Sequence, residues 1–126
     1  MKKIKFEDLD FIPASHENPQ NPGVLKKILL KRDDLPVGRV QMINWSRLLK
    51  NKSFAPHYHE SMIEVFIIMN GKVKAKIDNE EEILEQGDAV IAYEKQVHTF
   101  ENICDEDVNY FAMGIVTAEG GKSVNV

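Results

Sequence analysis

The chain has 126 residues, 43% hydrophobic and 29% charged, with a formal net charge of −4. That is the length of one domain, enough for a real core. It shows no basic face to hold nucleic acid, no apolar run that could span a membrane, and, with Cys104 its only cysteine, no intrachain disulfide framework.

Residues 1–12 carry a weak strand or turn signal from Ile4, Phe6, Leu9, Phe11 and Ile12. The following segment, P-A-S-H-E-N-P-Q-N-P-G, is a loop by composition. His16 lies in it and reads as a surface residue. Val24–Lys31 has apolar spacing that suits a helix, but it is short and bounded by breakers, and the strands that follow make it a strand. Residues 32–38 form a turn region. Residues 39–45 read as a strand with Val40, Met42 and Asn44 on one face and Gln41, Ile43 and Trp45 on the other; nothing in the sequence says which face is inside. Residues 48–53 are basic and read as solvated, with a turn at Asn51.

The richest stretch is P-H-Y-H-E-S-M-I-E-V-F-I-I-M-N-G, residues 56–71. Alternate side chains of a strand share a face, so His57 and His59 project together and Tyr58 points away. Glu64 is an odd number of positions past His59, and a turn over residues 60–62 is needed to bring it round to the histidines. From Glu64 the chain reads as a strand in which Phe66 and Ile68 share the glutamate's face. Asn70-Gly71 is a hairpin signal of the type I′ kind, both residues having φ > 0. Lys72–Ile77 returns with Val73, Ala75 and Ile77 inside and its lysines outside. Asp78-Asn79 is a turn. The acidic run over residues 80–82 is a solvated edge or hairpin tip, Ile83 and Leu84 are a short strand, and Ala89–Ala92 is a buried strand. Residues 97–102 place His98, Phe100 and Asn102 on one face. Residues 105–107 turn, and Val108–Val116 is the final strand. The polar, Gly-rich tail over residues 119–126 is expected to fray. Cys104 reads as incidental.

Short strands between turn residues, without alternating helices, argue for an antiparallel sandwich or barrel. Two motifs sharpen this. His57-Tyr58-His59, four residues, Glu64, six residues and Gly71 resemble the first motif of the cupin superfamily; Gly87, His98, three residues and Asn102 resemble the second. The sequence departs from the family pattern at Tyr93-Glu94-Lys95, where the family has a Pro-x-Gly turn, and at Asn51, where a glycine often precedes the first motif. The resemblance implies an all-β, cupin-type double-stranded β-helix, a jelly-roll barrel over residues 24–118. Residues 1–23 are then an N-terminal arm and residues 119–126 a flexible tail. It also implies one divalent metal ion held by His57, His59, Glu64 and His98.

Imidazole with carboxylate suits iron, manganese, nickel, cobalt or zinc, and the absence of thiolate argues against a purely structural zinc site. Three neutral imidazoles, one carboxylate and a divalent ion leave a residual positive charge of about one, which favours a chelating oxygen ligand. The expected function is that of a metal-dependent enzyme, of dioxygenase, isomerase or decarboxylase type, on a small oxygen-rich molecule. The alternative is a non-catalytic ligand-binding or sensor module. Catalytic residues are undetermined: Tyr93 and Lys95, with Glu94, are candidates by location alone, and a plain turn is the competing reading. The expected partners are a small molecule and a second copy of the chain, paired through the apolar N-terminal residues in the commonest form of closed association. The N-terminus lacks the pattern of a secretory signal, and the expected location is cytoplasmic.

Overall fold

The computed structural model describes residues 1–35, 37–118 and 122–126. Its strands are β1 (Ile12–Pro13), β2 (Val24–Lys31), β3 (Val40–Leu48), β4 (His57–His59), β5 (Met62–Ile68), β6 (Lys72–Ile77), β7 (Glu80–Glu85), β8 (Ala89–Ala92), β9 (His98–Asn102), β10 (Val108–Val116) and β11 (Ser123–Asn125). Two antiparallel sheets form, in the orders β1-β2-β3-β10-β5-β8 and β11-β4-β9-β6-β7. The path alternates between them: β4 is in the second sheet, β5 in the first, β6 and β7 in the second, β8 in the first, β9 in the second, β10 in the first and β11 in the second. This is the jelly-roll winding expected of a double-stranded β-helix.

Several turns therefore do a different job from the one the sequence suggests. Asn70-Gly71 is not a hairpin: β5 and β6 lie in different sheets, and only Gly71, at φ 75°, takes the left-handed region. A Cβ on Gly71 would come within 2.8 Å of a Val108 methyl, so glycine is required by packing as well as by φ. The true two-residue hairpin is Asp78-Asn79, closing Ile77 against Glu80 with Asp78 at φ 52°. Residues 60–61 likewise carry the chain across the barrel, so Glu64 faces the histidines from the opposite sheet. The two departures from the family pattern both keep the backbone a glycine would take: Asn51 has φ 62° and Lys95 φ 63°. Asparagine tolerates that region; lysine there costs about 1 kcal/mol.

Strand alternation selects the core. On β3, Asn44, Ser46 and Leu48 are buried, which settles the face the sequence left open. Leu48 is fully buried rather than the start of a solvated segment. β8 is an edge strand with only Ala92 buried, not the buried strand expected. The acidic β7 is the outer edge of its sheet, as its composition required. Phe54, Phe66, Phe100 and Tyr110 meet in the middle, with ring centroids 4.9 Å apart for Phe66 and Phe100 and 5.1 Å for Phe54 and Phe100. Burying each phenylalanine contributes roughly 2–3 kcal/mol. The arm folds back over the outer face of the first sheet: Phe6 packs edge-on against Trp45, and Lys27 Nζ donates to Phe6 O at 2.7 Å while lying 3.7 Å from the Phe6 ring centre.

The tail departs furthest from expectation. Ser123–Asn125 is a strand, paired antiparallel with β4, Ser123 opposite His59 and Asn125 opposite His57. The Gly-rich residues 119–121 of the expected flexible tail lie outside the described residues.

Candidate metal centre

His57, His59, Glu64 and His98 converge, each offering one ligand atom, and those atoms lie within 4.8 Å of one another. The convergence follows from the winding. His57 and His59 share the inner face of β4, His98 is the register partner of His57 on β9, and Glu64 reaches across from β5. All four are buried.

What surrounds the histidines decides which nitrogen each presents. His57 Nδ1–H donates to Ala55 O at 2.7 Å, and His98 Nδ1–H donates to Gln96 O at 2.9 Å. Both Nε2 lone pairs are thereby aimed at the centre, the usual arrangement of a metal-ligating imidazole and its outer partner. His98 Nε2 has no hydrogen-bond partner although it is wholly buried; it lies 3.4 Å from Glu64 Oε1. A buried nitrogen left in that state destabilises the fold by about 1–3 kcal/mol unless something binds it. His59 Nε2–H donates to Glu64 Oε1 at 2.9 Å, and its Nδ1 lies 3.3 Å from the Ser123 hydroxyl. A hydroxyl both donates and accepts. Ser123 therefore suits either tautomer of His59, including the one that frees Nε2 for a cation.

The electrostatics agree. Burial opposes ionisation of Glu64, yet the hydrogen bond from His59 and the contact with His98 outweigh it and hold the carboxyl at about 2. Burial, reinforced by the neighbouring His16 and His98, pushes His57 down to about 3. An ionised Glu64 carboxylate and a neutral His57 imidazole are donors of the kind a divalent ion needs. The residues present fit the metal the resemblance implies.

Beside the centre lies a cavity of about 370 Å³. Phe54 and Phe66 form its apolar wall, while Lys26, Asn44, Ser46 and Tyr110 supply polar groups. Tyr93 and Lys95, the catalytic candidates by location, are exposed and do not line it. They make a turn in which Gln96 N–H donates to Tyr93 O and Lys95 N–H donates to His59 O at 2.7 Å. Their position fixes the backbone behind His59 and leaves their side chains outside.

The residue that sequence reasoning misplaced is His16. It is no surface histidine: its ring lines the cavity and stacks on His57 with centroids 3.9 Å apart. Its Nδ1–H donates to Glu17 Oε2 at 2.9 Å. Glu17 is itself held by the backbone N–H groups of Gly23 and Ala55, each at 2.7 Å. Burial lowers the His16 pKa, partly offset by Glu17. A histidine beside a glutamate in a Pro/Asn-rich loop has no periodicity to mark it, so the only available signal was the adjacency itself. Tyr110 was also passed over. Burial and the Glu64 charge raise its pKa, and it keeps its phenolic proton. Asn102, at the end of the second motif, is structural: its amide donates to Leu48 O and Glu106 O and accepts from Cys104 N–H and Sγ–H.

The last strand has a measurable role here. A chain ending at Thr117 lacks Ser123 and the β11 ladder that positions β4. Such a chain is expected to bind divalent metal roughly 10- to 100-fold more weakly, the usual effect of removing an outer partner. Competition titration against a chromogenic chelator checks this; an unchanged affinity would show that β11 does not hold the ligands.

A jelly roll with three histidines and a glutamate at one buried point is a barrel able to hold a metal ion. The Cupin domain family matches residues 44–114, more than half of the sequence, and the chain belongs to that family. No curated protein matches it. Among solved structures, a predicted oxalate decarboxylase from Thermotoga maritima superposes with a TM-score of 0.80 at 18% identity, over 91% of this chain and 99% of the other. The polyketide cyclase RemF from Streptomyces resistomycificus gives 0.79 at 17%, over 100% and 85%. A sugar phosphate isomerase from Silicibacter pomeroyi gives 0.74 at 19%, over 92% and 76%. At these identities the likeness establishes the fold. No helix among the described residues is long and apolar enough to cross a membrane.

Proposed function

We propose that the protein is a metal-dependent enzyme acting on a small oxygen-rich molecule that chelates one divalent ion held by His57, His59, Glu64 and His98. The observation that carries this is the buried, unpartnered Nε2 of His98, aimed at three other ligand atoms beside a cavity of small-molecule size. The bound ion supplies a Lewis acid for the oxygens of the ligand. The chain supplies the rest. Phe54 and Phe66 keep water from the reacting end. His16, oriented by Glu17, has its Nε2 left for the cavity and moves a proton there. The Tyr110 hydroxyl stays protonated and donates a hydrogen bond.

The neighbours carry different names, a predicted oxalate decarboxylase, a polyketide cyclase and a sugar phosphate isomerase, so the reaction type is argued from the site: chelation with a proton donor or acceptor close by. Elemental analysis of protein purified without an affinity tag is expected to find about one divalent metal per chain. Hydroxy acids, keto acids and catechols are expected to raise the melting temperature of metal-loaded protein only. Equal stabilisation of metal-loaded and stripped protein would remove the support for a chelated substrate. Turnover lost in His57→Ala separates an enzyme from a binding module.

We also propose that the chain pairs as a two-fold dimer. Phe6, Ile12 and Ile28 stay exposed around the short edge strand β1. Sedimentation equilibrium at micromolar concentration is expected to give twice 14.4 kDa; a monomer would refute the pairing.

A further inference from the structure

The walls of the cavity are chemically unequal, and the wall made by β2, β3 and β10 has unspent polar capacity. β2 carries two adjacent lysines with opposite fates. Lys27 points to the outer face, where it donates to Phe6 O and lies against the rings of Phe6 and Phe11. Lys26 points inward and lines the cavity. Among the described residues its ammonium group has no hydrogen bond and no ion pair within 4.0 Å. Glu64 is the charge that acts on it, and burial lowers its pKa. Ser46 is its register partner on β3, and Tyr110 is the register partner of Ser46 on β10. Facing residues on adjacent strands lie about 5 Å apart at Cβ, so Lys26, Ser46 and Tyr110 stand side by side along the wall, with Ser46 and Tyr110 hydrogen-bonded to each other.

One step along β3, on the same face, is Asn44. It is 6% exposed. Its amide N–H donates to Met42 Sδ at 3.3 Å, and its Oδ1 is buried with no donor. Buried acceptors are nearly always paired, and this one lines the cavity. The wall therefore offers a cation without an anion, flanked by hydroxyls, and an acceptor without a donor. None of these groups belongs to the metal cluster, which is carried by β4, β5 and β9.

We propose that this wall recognises the far end of the ligand, and that this end carries a carboxylate for Lys26, Ser46 and Tyr110 and a hydroxyl donor for Asn44 Oδ1. The substrate class is then a small hydroxylated diacid, chelated at one end and clamped at the other. This rests on the reading that the first end chelates the metal. A carboxylate fits better than a phosphate because only one ammonium is embedded in the wall; Lys31 and Lys122 lie at the exposed rim. One partly buried cation balances one anionic charge and would leave the second charge of a phosphate unpaired in a partly dry site.

The test is isothermal titration calorimetry of metal-loaded and metal-stripped protein with 2-hydroxybutyrate, malate, tartrate and 3-phosphoglycerate. The first three share a four-carbon chain and a chelating hydroxy-acid end. Malate adds the distal carboxylate, tartrate a further hydroxyl, and 3-phosphoglycerate carries phosphate instead. Metal-loaded wild type is expected to bind malate about tenfold more tightly than 2-hydroxybutyrate, tartrate more tightly again, and 3-phosphoglycerate no better than 2-hydroxybutyrate. Lys26→Met is expected to erase the preference for malate and Lys26→Arg to keep most of it; Asn44→Leu is expected to erase the tartrate increment. Equal binding of all four by wild type, with dependence on metal, would overturn this wall while leaving the chelation reading intact. Preference for malate that persists in stripped protein would uphold the wall and overturn chelation. Preference for 3-phosphoglycerate, or no binding by any probe, would overturn the proposal.

Discussion

His98→Ala is expected to weaken metal binding on the order of a hundredfold while the barrel stays folded. The side chain is 1% exposed, its Nδ1 is committed to Gln96 O, and its Nε2 has no other use in the fold. If a four-ligand site carries a binding free energy on the scale of structural zinc centres, each ligand is responsible for roughly 3 kcal/mol, on the order of a hundredfold in affinity. Removing His98 also leaves Glu64 with only His59 opposite it, so the remaining ligands lose their common focus. Under titration with a competing chelator, native mass spectrometry should show the variant losing its metal at roughly a hundredfold lower chelator strength than wild type, with the β-type circular dichroism spectrum retained in both. Lys95→Ala serves as the control, since its side chain is outside the cavity, and it should keep full occupancy. Retention of metal by His98→Ala equal to that of wild type would refute the assignment of His98 as a ligand.

The second large effect is on acid stability of the metal-stripped chain. His57 has a folded pKa of about 3 against an ordinary 6.5. The unfolded chain therefore takes up a proton that the folded chain refuses. The stability associated with a neutral His57 is complete above pH 6.5 and is lost as the pH falls toward 3. Glu64, at about 2 against 4.5, acts in the same direction in the next window: its contribution is present above pH 4.5 and is lost as the pH falls through 2. At about 1.4 kcal/mol per unit, His57 alone accounts for up to roughly 4–5 kcal/mol, a large share of a typical domain's 5–15 kcal/mol. The urea midpoint of stripped protein is expected to fall steadily from pH 7 to pH 4. His57→Asn should flatten the upper part of that curve, and bound metal should move the whole curve to lower pH by competing with protons for the same nitrogens. A midpoint independent of pH between 6.5 and 4.5 would show that His57 is not buried in neutral form.

The clustering of His57, His59, Glu64 and His98 was legible from the motif spacing of the family resemblance together with strand alternation. Two histidines at i and i+2 share a face, whatever the rest of the fold does, and His98 is placed by the same rule with Phe100 and Asn102. Sheet membership was not legible. A dipeptide such as Asn70-Gly71 reports a need for positive φ, and one such residue serves a crossing between sheets as well as a hairpin. The cavity's other groups escaped for separate reasons. His16 and Glu17 sit in a loop where no period exists. Asn44 lies on a strand whose two faces were equally mixed, so its burial depended on which sheet would cover it. Lys26 carried no signal of its own: alternation puts it and Lys27 on opposite faces of β2, and only the fold shows which face meets the cavity. The tail strand was hidden by its polarity: β11 is held by the ladder to β4 and by Ser123, and needs little apolar surface of its own.

The pairing of β11 with β4 also sets an order of events at the ribosome. Ser123 lies opposite His59, sixty-four positions later in the chain. The backing of His59 must wait for residues 123–125 to clear the exit tunnel. At about 5–20 residues per second, β4 waits on the order of several seconds for the strand that covers its free edge. β11 is therefore the last element able to cover that edge and to place Ser123 beside His59.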